Sequence, residues 1–318
     1  MKALCTARSV LPFAALAIAL AASAFVAPLR AQDSAGRSKL PRPDHANVAY
    51  GPHARNVMDV WLAPSAGGPT PLLVYFHGGG FAAGSKENLP ASQLAAALRA
   101  GISVAAANYR LSPEVVFPAH YLDCARAIQF ARHSAKAWNL DPRRVALAGS
   151  SAGGGASLWI AFHDDLVDPK SADPIAREST RVTCVAVSGA QPTYDQRVIR
   201  RIIGESAARH RVFTTMYGLK PEELETEKAF RLFEQAAAVT YLTADDPPVF
   251  AYYFEPRAPL VPGGKAGEGI HHPNLGIFLK EKMDPLKIEC VLRHKDEGNT
   301  LPAQIAFLQK HLGLASEK

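Results

Sequence analysis

Gly149, Ser151 and Gly153 fill a G-x-S-x-G spacing inside "VALAGSSAGGG", residues 145–155. A serine hydroxyl in that pattern is placed to attack an acyl carbon, because the glycines allow a sharp strand-to-helix turn and close backbone approach. Ser150 reads as a filler beside it. The spacing is short and also fits a plain glycine-rich turn. A second pattern, "HGGG" at 77–80, follows an apolar run upstream and supplies consecutive backbone N–H groups. Gly78 and Gly79, with the N–H of Ala152 where the next helix starts, are the candidates to bind an oxyanion. His77 reads as a holder of that loop rather than as a base.

A serine hydroxyl is a poor nucleophile without a base and an acid to orient it. His271 and His272 stand in "GIHHPN", in the loop after the strand-like "PVFAYYFE"; His294 ends the strand-like "KIECVLRH". All three reach the carboxyl edge of a parallel sheet, where sites of such sheets form. His272 is taken as the base. Glu255, the only carboxylate near the end of "PVFAYYFE", is taken as the acid. His271 and His294 remain as alternative bases. Tyr194 and Asp195 are candidates to line the pocket.

The elements that must position these residues follow from the hydrophobic pattern. Apolar runs at 57–63, 72–80, 102–110, 144–150, 181–189, 248–255 and 287–294 read as strands. Helical patterns fall at 89–101, 118–139, 152–166, 273–284 and 302–313. Their alternation predicts an α/β class: a mainly parallel central sheet with helices on both faces. Residues 191–245 are helical and irregular, and read as an insertion covering the carboxyl edge. Residues 32–46 are polar with prolines and read as a linker, so the domain is expected over 47–318.

Residues 1–31 have the composition of a Sec-type signal peptide: Lys2 and Arg8, the apolar "LPFAALAIAL", then the small residues of "AASA". Export to the periplasm or outside the cell is expected, with no stable membrane span once the leader is cleaved. The formal charge of +6 falls to +4, with 33 basic against 29 acidic residues, when Lys2 and Arg8 are set aside. The densest basic stretch, "QRVIRRII" with "ARHR" after it (196–211), reads as an amphipathic helix with a solvated face. No aromatic platform accompanies it, so nucleic acid is not an expected partner. An anionic substrate group near it stays open. Cys124, Cys184 and Cys290 are too scattered for a disulfide framework and read as buried thiols. They show no metal-ligand spacing, and no metal is expected.

"HGGGFAAGS", "NYRLSPEVVFPAHYLDCARAIQF", "NLDPRRVALAGSSAGG" and "PPVF" resemble the hormone-sensitive-lipase-like esterases. They also resemble the bacterial carboxylesterases that deacylate short-chain or sugar esters. The likeness covers about residues 47–313. It implies an α/β-hydrolase fold, no cofactor, a small-molecule ester substrate and an acyl-enzyme on Ser151. Gly78, Gly79 and Ala152 match the family's oxyanion positions, and 191–245 stands where a substrate-covering segment is usual. Two positions depart from the pattern. Arg257 or Ala258 stands where the resemblance implies an Asp, and Asp296 or Glu297 near the implied His, with His294 about three positions early. Two functions are therefore expected alternatives: an ester hydrolase with a relocated base, or a pseudo-esterase that keeps the pocket for a ligand or partner. An imidazole within about 4 Å of Ser151 Oγ would separate them. The sequence sets no oligomeric state.

Overall fold

The structure, a computed structural model, describes residues 40–65, 67–298 and 300–315. The expected signal peptide and most of the expected linker lie outside the described residues. An eight-stranded sheet forms the centre. Its strands are β1 (His45–Ala49), β2 (Val57–Trp61), β3 (Thr70–Phe76), β4 (Ser103–Ala107), β5 (Leu140–Ser150), β6 (Cys184–Ser188), β7 (Val249–Tyr253) and β8 (Cys290–His294). They lie in the order β1-β2-β4-β3-β5-β6-β7-β8. The β1–β2 and β2–β4 pairs are antiparallel and the pairs from β4 through β8 are parallel. This is the architecture of an α/β-hydrolase.

Every residue of β3 is buried, which fits a parallel strand covered on both faces. Successive side chains point to opposite faces, so one strand feeds two cores. Leu72, Val74 and Phe76 join Leu147, Val185 and Val187 under α2 (Ala119–His133), α3 (Ala152–Phe162) and α8 (Asn274–Met283). Leu73 and Tyr75 join Ala146, Ala186 and Phe250 under α1 (Ala91–Arg99) and α9 (Leu301–His311). Cys124, Cys184 and Cys290 are free and buried. Among the described residues no helix is long and apolar enough to cross a membrane.

Three boundaries differ from expectation. The segment read as a linker up to residue 46 is already part of the fold: Trp61 Nε1 donates to the Pro41 carbonyl at 2.9 Å and Leu62 N–H to Asp44 at 2.8 Å. β1 begins at His45, and its residues are all at least partly exposed, so no apolar alternation announced it. β5 starts at Leu140, where Arg143 N–H and Arg144 Nε close back on the Asp141 carboxylate at 2.9 Å each. The preceding helix, expected to residue 139, ends at His133. Residues 191–245 contain α4 (Gln196–Ile202), α5 (Glu205–Ala208), α6 (Val212–Thr215) and α7 (Glu227–Ala236).

Candidate active site

Ser151 stands between β5 and α3 with φ 49° and ψ −120°, a strained backbone for a side chain. The strain is held from both sides: its N–H donates to the Ser188 carbonyl at 2.8 Å, and its carbonyl accepts from Gly155 at 2.9 Å. The spacing of glycines follows from this crowding. A methyl group on Gly153 would sit 2.1 Å from the Phe76 carbonyl oxygen, and one on Gly149 2.5 Å from Gly153 itself. Both obstacles are backbone, so neither can swing aside. Gly153→Ala is expected to destabilise the fold by about 1–3 kcal/mol through forced backbone movement. Urea unfolding reads this directly, and an unchanged midpoint would contradict it.

The "HGGG" turn leaves β3 and passes directly over Ser151. A Cβ on Gly78 would lie 3.2 Å from Ser151 Cβ, and Gly79 adopts φ +118°. The loop is tied down by Ala82 and Ala83 N–H groups donating to the Gly79 carbonyl at 3.1 Å each. His77 Nδ1–H donates to the Gly78 carbonyl at 2.8 Å, and its ring stacks on Tyr109. Burial pushes His77 down to about 4, so its ring is neutral at physiological pH. Arg55 completes the clamp, donating to the carbonyls of Tyr109 and Gly84 at 2.8 and 2.9 Å. The N–H of Ala152, first residue of α3, has no acceptor within its own helix.

The structure brings His271, not His272, to Ser151. His271 Nε2 lies 2.8 Å from Ser151 Oγ, and its Nδ1 lies 3.2 Å from Glu255 Oε1. Glu255 Oε1 also accepts the His271 backbone N–H at 3.3 Å, which fixes the carboxylate against one residue twice. His272, the residue preferred from sequence, faces the other way. It is buried, donates from Nε2 to the Ala258 carbonyl at 3.1 Å, and accepts the Asn274 N–H on Nδ1 at 3.1 Å. Both of its nitrogens are spent on closing the turn into α8. Adjacent side chains in that turn diverge, so only one of the pair can reach the cleft.

His294 likewise does not reach Ser151. Its Nε2–H donates to the Glu255 carbonyl at 2.7 Å, buried at the end of β8. It thereby holds the backbone of Glu255. Glu255 lies two residues past the end of β7, as its position after that strand suggested. Arg257 pairs with Glu297 at 3.1 Å. Glu255 and His271 thus come from one loop, between β7 and α8.

A cleft of about 430 Å³ opens above Ser151, walled by Gly78–Gly80, Gln191, Tyr194, Val212, Phe254 and Ile270, with His210 and Arg211 at one side. Tyr194 takes its expected place. Asp195 instead caps α4 and pairs with Arg197 at 2.7 Å. Sequence reasoning missed Gln191 and His210. Gln191 is buried and donates from Nε2 to the Ile270 carbonyl at 2.7 Å, tying the segment after β6 to the residue preceding His271. His210 came with the basic "ARHR", whose charge was the only signal available. Burial, with His271 and Arg211 nearby, lowers its pKa.

Comparison with known proteins gives the family. The BD-FAE family model matches residues 58–256, a stretch that runs from β2 through Glu255. The chain belongs to the BD-FAE family. It is 26% identical over 232 residues to the probable carboxylic ester hydrolase LipM of Mycobacterium tuberculosis. That alignment takes in 69% of this chain and 52% of LipM, so this BD-FAE chain spans about half the length of the curated relatives it matches first. Among solved structures, a truncated carbohydrate esterase from gut microbiota superposes with a TM-score of 0.65 at 16% identity, over 87% of this chain and all of that one. A bacterial heroin esterase gives 0.60 at 20% identity, over 84% and 83% of the two chains. At these identities the structural likeness speaks for the shared fold.

Proposed function

We propose that this BD-FAE member is a carboxylic-ester hydrolase working through an acyl-enzyme on Ser151. The observation that carries the reading is the continuous Ser151–His271–Glu255 relay at 2.8 and 3.2 Å. Ser151 Oγ attacks the ester carbonyl while His271 Nε2 takes its proton. Glu255 accepts the Nδ1–H and offsets the imidazolium charge. The tetrahedral oxyanion forms beside the backbone N–H groups of Gly78, Gly79 and Ala152, the start of α3 adding its positive end. Collapse breaks the bond to the alcohol oxygen, which leaves with the proton from His271. Water then attacks the acyl-enzyme, gives a proton to His271, and releases the acid as Ser151 Oγ regains its hydrogen. The size of the cleft supports small acyl esters as substrates. The alternative of a binding-only pseudo-esterase has no observation in its favour, since an imidazole stands well within reach of Ser151.

The leader composition of residues 1–31 supports export as the place of action, with the serine chemistry then directed at esters outside the cytoplasm. The test of activity is hydrolysis of p-nitrophenyl acetate and butyrate by the full chain and by Ser151→Ala. Turnover that drops to the uncatalysed background in the variant is expected. Equal rates in the two proteins would overturn the reading.

A further inference from the structure

The arginines of residues 196–211 are treated unequally by the fold. Arg197 pairs with Asp195 at 2.7 Å and Glu234 at 3.3 Å, and lies over the Phe230 ring. Arg200 pairs with Glu205 at 2.9 Å and Glu225 at 3.4 Å. Arg209 donates to the Gly264 carbonyl at 2.7 Å. Arg201 and Arg211 are exposed and neither side chain has a carboxylate or carbonyl partner among the described residues; of the two, Arg211 walls the cleft.

Its neighbour is oriented toward the same space. His210 Nδ1 accepts the Val212 N–H at 3.1 Å, which leaves the proton on Nε2 when the ring is neutral. The ring packs between two loops: Cε1 is 3.8 Å from where a Cβ on Gly80, which lines the cleft, would be, and Cδ2 is 2.6 Å from a Gly267 Cβ. Burial with His271 and Arg211 nearby favours that neutral form. No carboxylate is among the cleft's lining residues, and Glu255 is engaged with His271 Nδ1 at 3.2 Å. Val212, Phe254 and Ile270 give the cleft an apolar side, beside the polar but uncharged Gln191, Tyr194 and Ser188. A short apolar stem ending in a negative group fits this set, with a guanidinium and an N–H donor at its end.

We infer that Arg211, with His210 beside it, selects esters that carry a carboxylate on their acyl or alcohol part. This deepens the esterase reading and rests on it. The probes are matched pairs: mono-4-nitrophenyl glutarate against 4-nitrophenyl pentanoate for the acyl side, and 4-acetoxybenzoate against phenyl acetate for the alcohol side. Arg211→Ala is expected to raise KM for the charged member of one pair by about three- to fivefold, the upper part of the range of a solvent-accessible charge pair. Neutral esters should stay within about twofold, and Arg211→Lys should keep part of the preference. The charged preference should also shrink as salt rises. Arg201→Ala, which removes an exposed arginine outside the cleft, should change nothing.

Equal losses on charged and neutral esters would make Arg211 merely structural and overturn the inference. So would no change on any probe. Calorimetric binding of glutarate and of 4-hydroxybenzoate to the Ser151→Ala chain, with and without Arg211→Ala, keeps the two proposals apart. Arg211-dependent binding to that variant, alongside a wild-type chain that turns over no ester, would count against the hydrolase alone. Binding of neither anion, alongside normal turnover of neutral esters, would count against anion selection alone.

Discussion

His271→Ala is expected to lower kcat/KM for a neutral p-nitrophenyl ester by about 10⁴–10⁶-fold, while His272→Asn is expected to keep kcat within about tenfold. The two residues are adjacent and chemically identical, so the contrast isolates direction. His271 Nε2 is within 2.8 Å of the nucleophile, and without it Ser151 must lose its proton to water. What remains is the oxyanion site and binding, worth about 10³–10⁴ over the uncatalysed reaction. His272 has no line to Ser151, because its two nitrogens are committed to Ala258 and Asn274. Its replacement costs buried hydrogen bonds, about 1–3 kcal/mol, and shows in thermal unfolding rather than in chemistry. Initial rates and melting curves on both variants give the answer. A His272 variant that loses turnover while the His271 variant keeps it would reverse the assignment.

That contrast marks where the sequence stopped being legible. The strands of the sheet could be read because uninterrupted apolar runs such as "LLVYF" have no other good place than a doubly covered sheet. Ser151 and the glycines could be read because their constraint is local: small residues are needed where backbones touch, and the pattern records this. Glu255 could be read because no other carboxylate stands near the end of β7. The direction of two neighbouring histidines is not local. It is set by Gln191 gripping the Ile270 carbonyl, by Ala258 receiving His272, and by His294 fixing Glu255 from β8. Each of these contacts joins residues far apart in the chain or across an irregular loop, where spacing has no period to follow. β1 was illegible for another reason: a half-exposed edge strand has no buried face to write an alternation.

Glu255→Gln is expected to lower kcat by about 10²–10³-fold with KM nearly unchanged, less than the roughly 10⁴ lost when a fully buried acid of this kind is made neutral. The side chain keeps its length, so what changes is charge and donor pattern. Glu255 Oε1 now accepts from both His271 Nδ1 and His271 N–H. An amide oxygen can serve one or both, but it cannot offset the positive charge the ring acquires in the transition state. Turned the other way, its NH₂ would force the proton to Nε2 and leave the nucleophile facing a donor. Both side chains of the pair are 24% exposed, so water screens part of the loss, which is why the smaller figure applies. Glu255→Asp is expected to fall between wild type and Gln, since the charge survives but the shorter stem withdraws it from Nδ1. Steady-state kinetics on both variants decide it. A Gln variant as active as wild type would mean that the loop alone orients His271. In that case the three grips on the loop, from Gln191, His272 and His294, would account for the geometry without the acid.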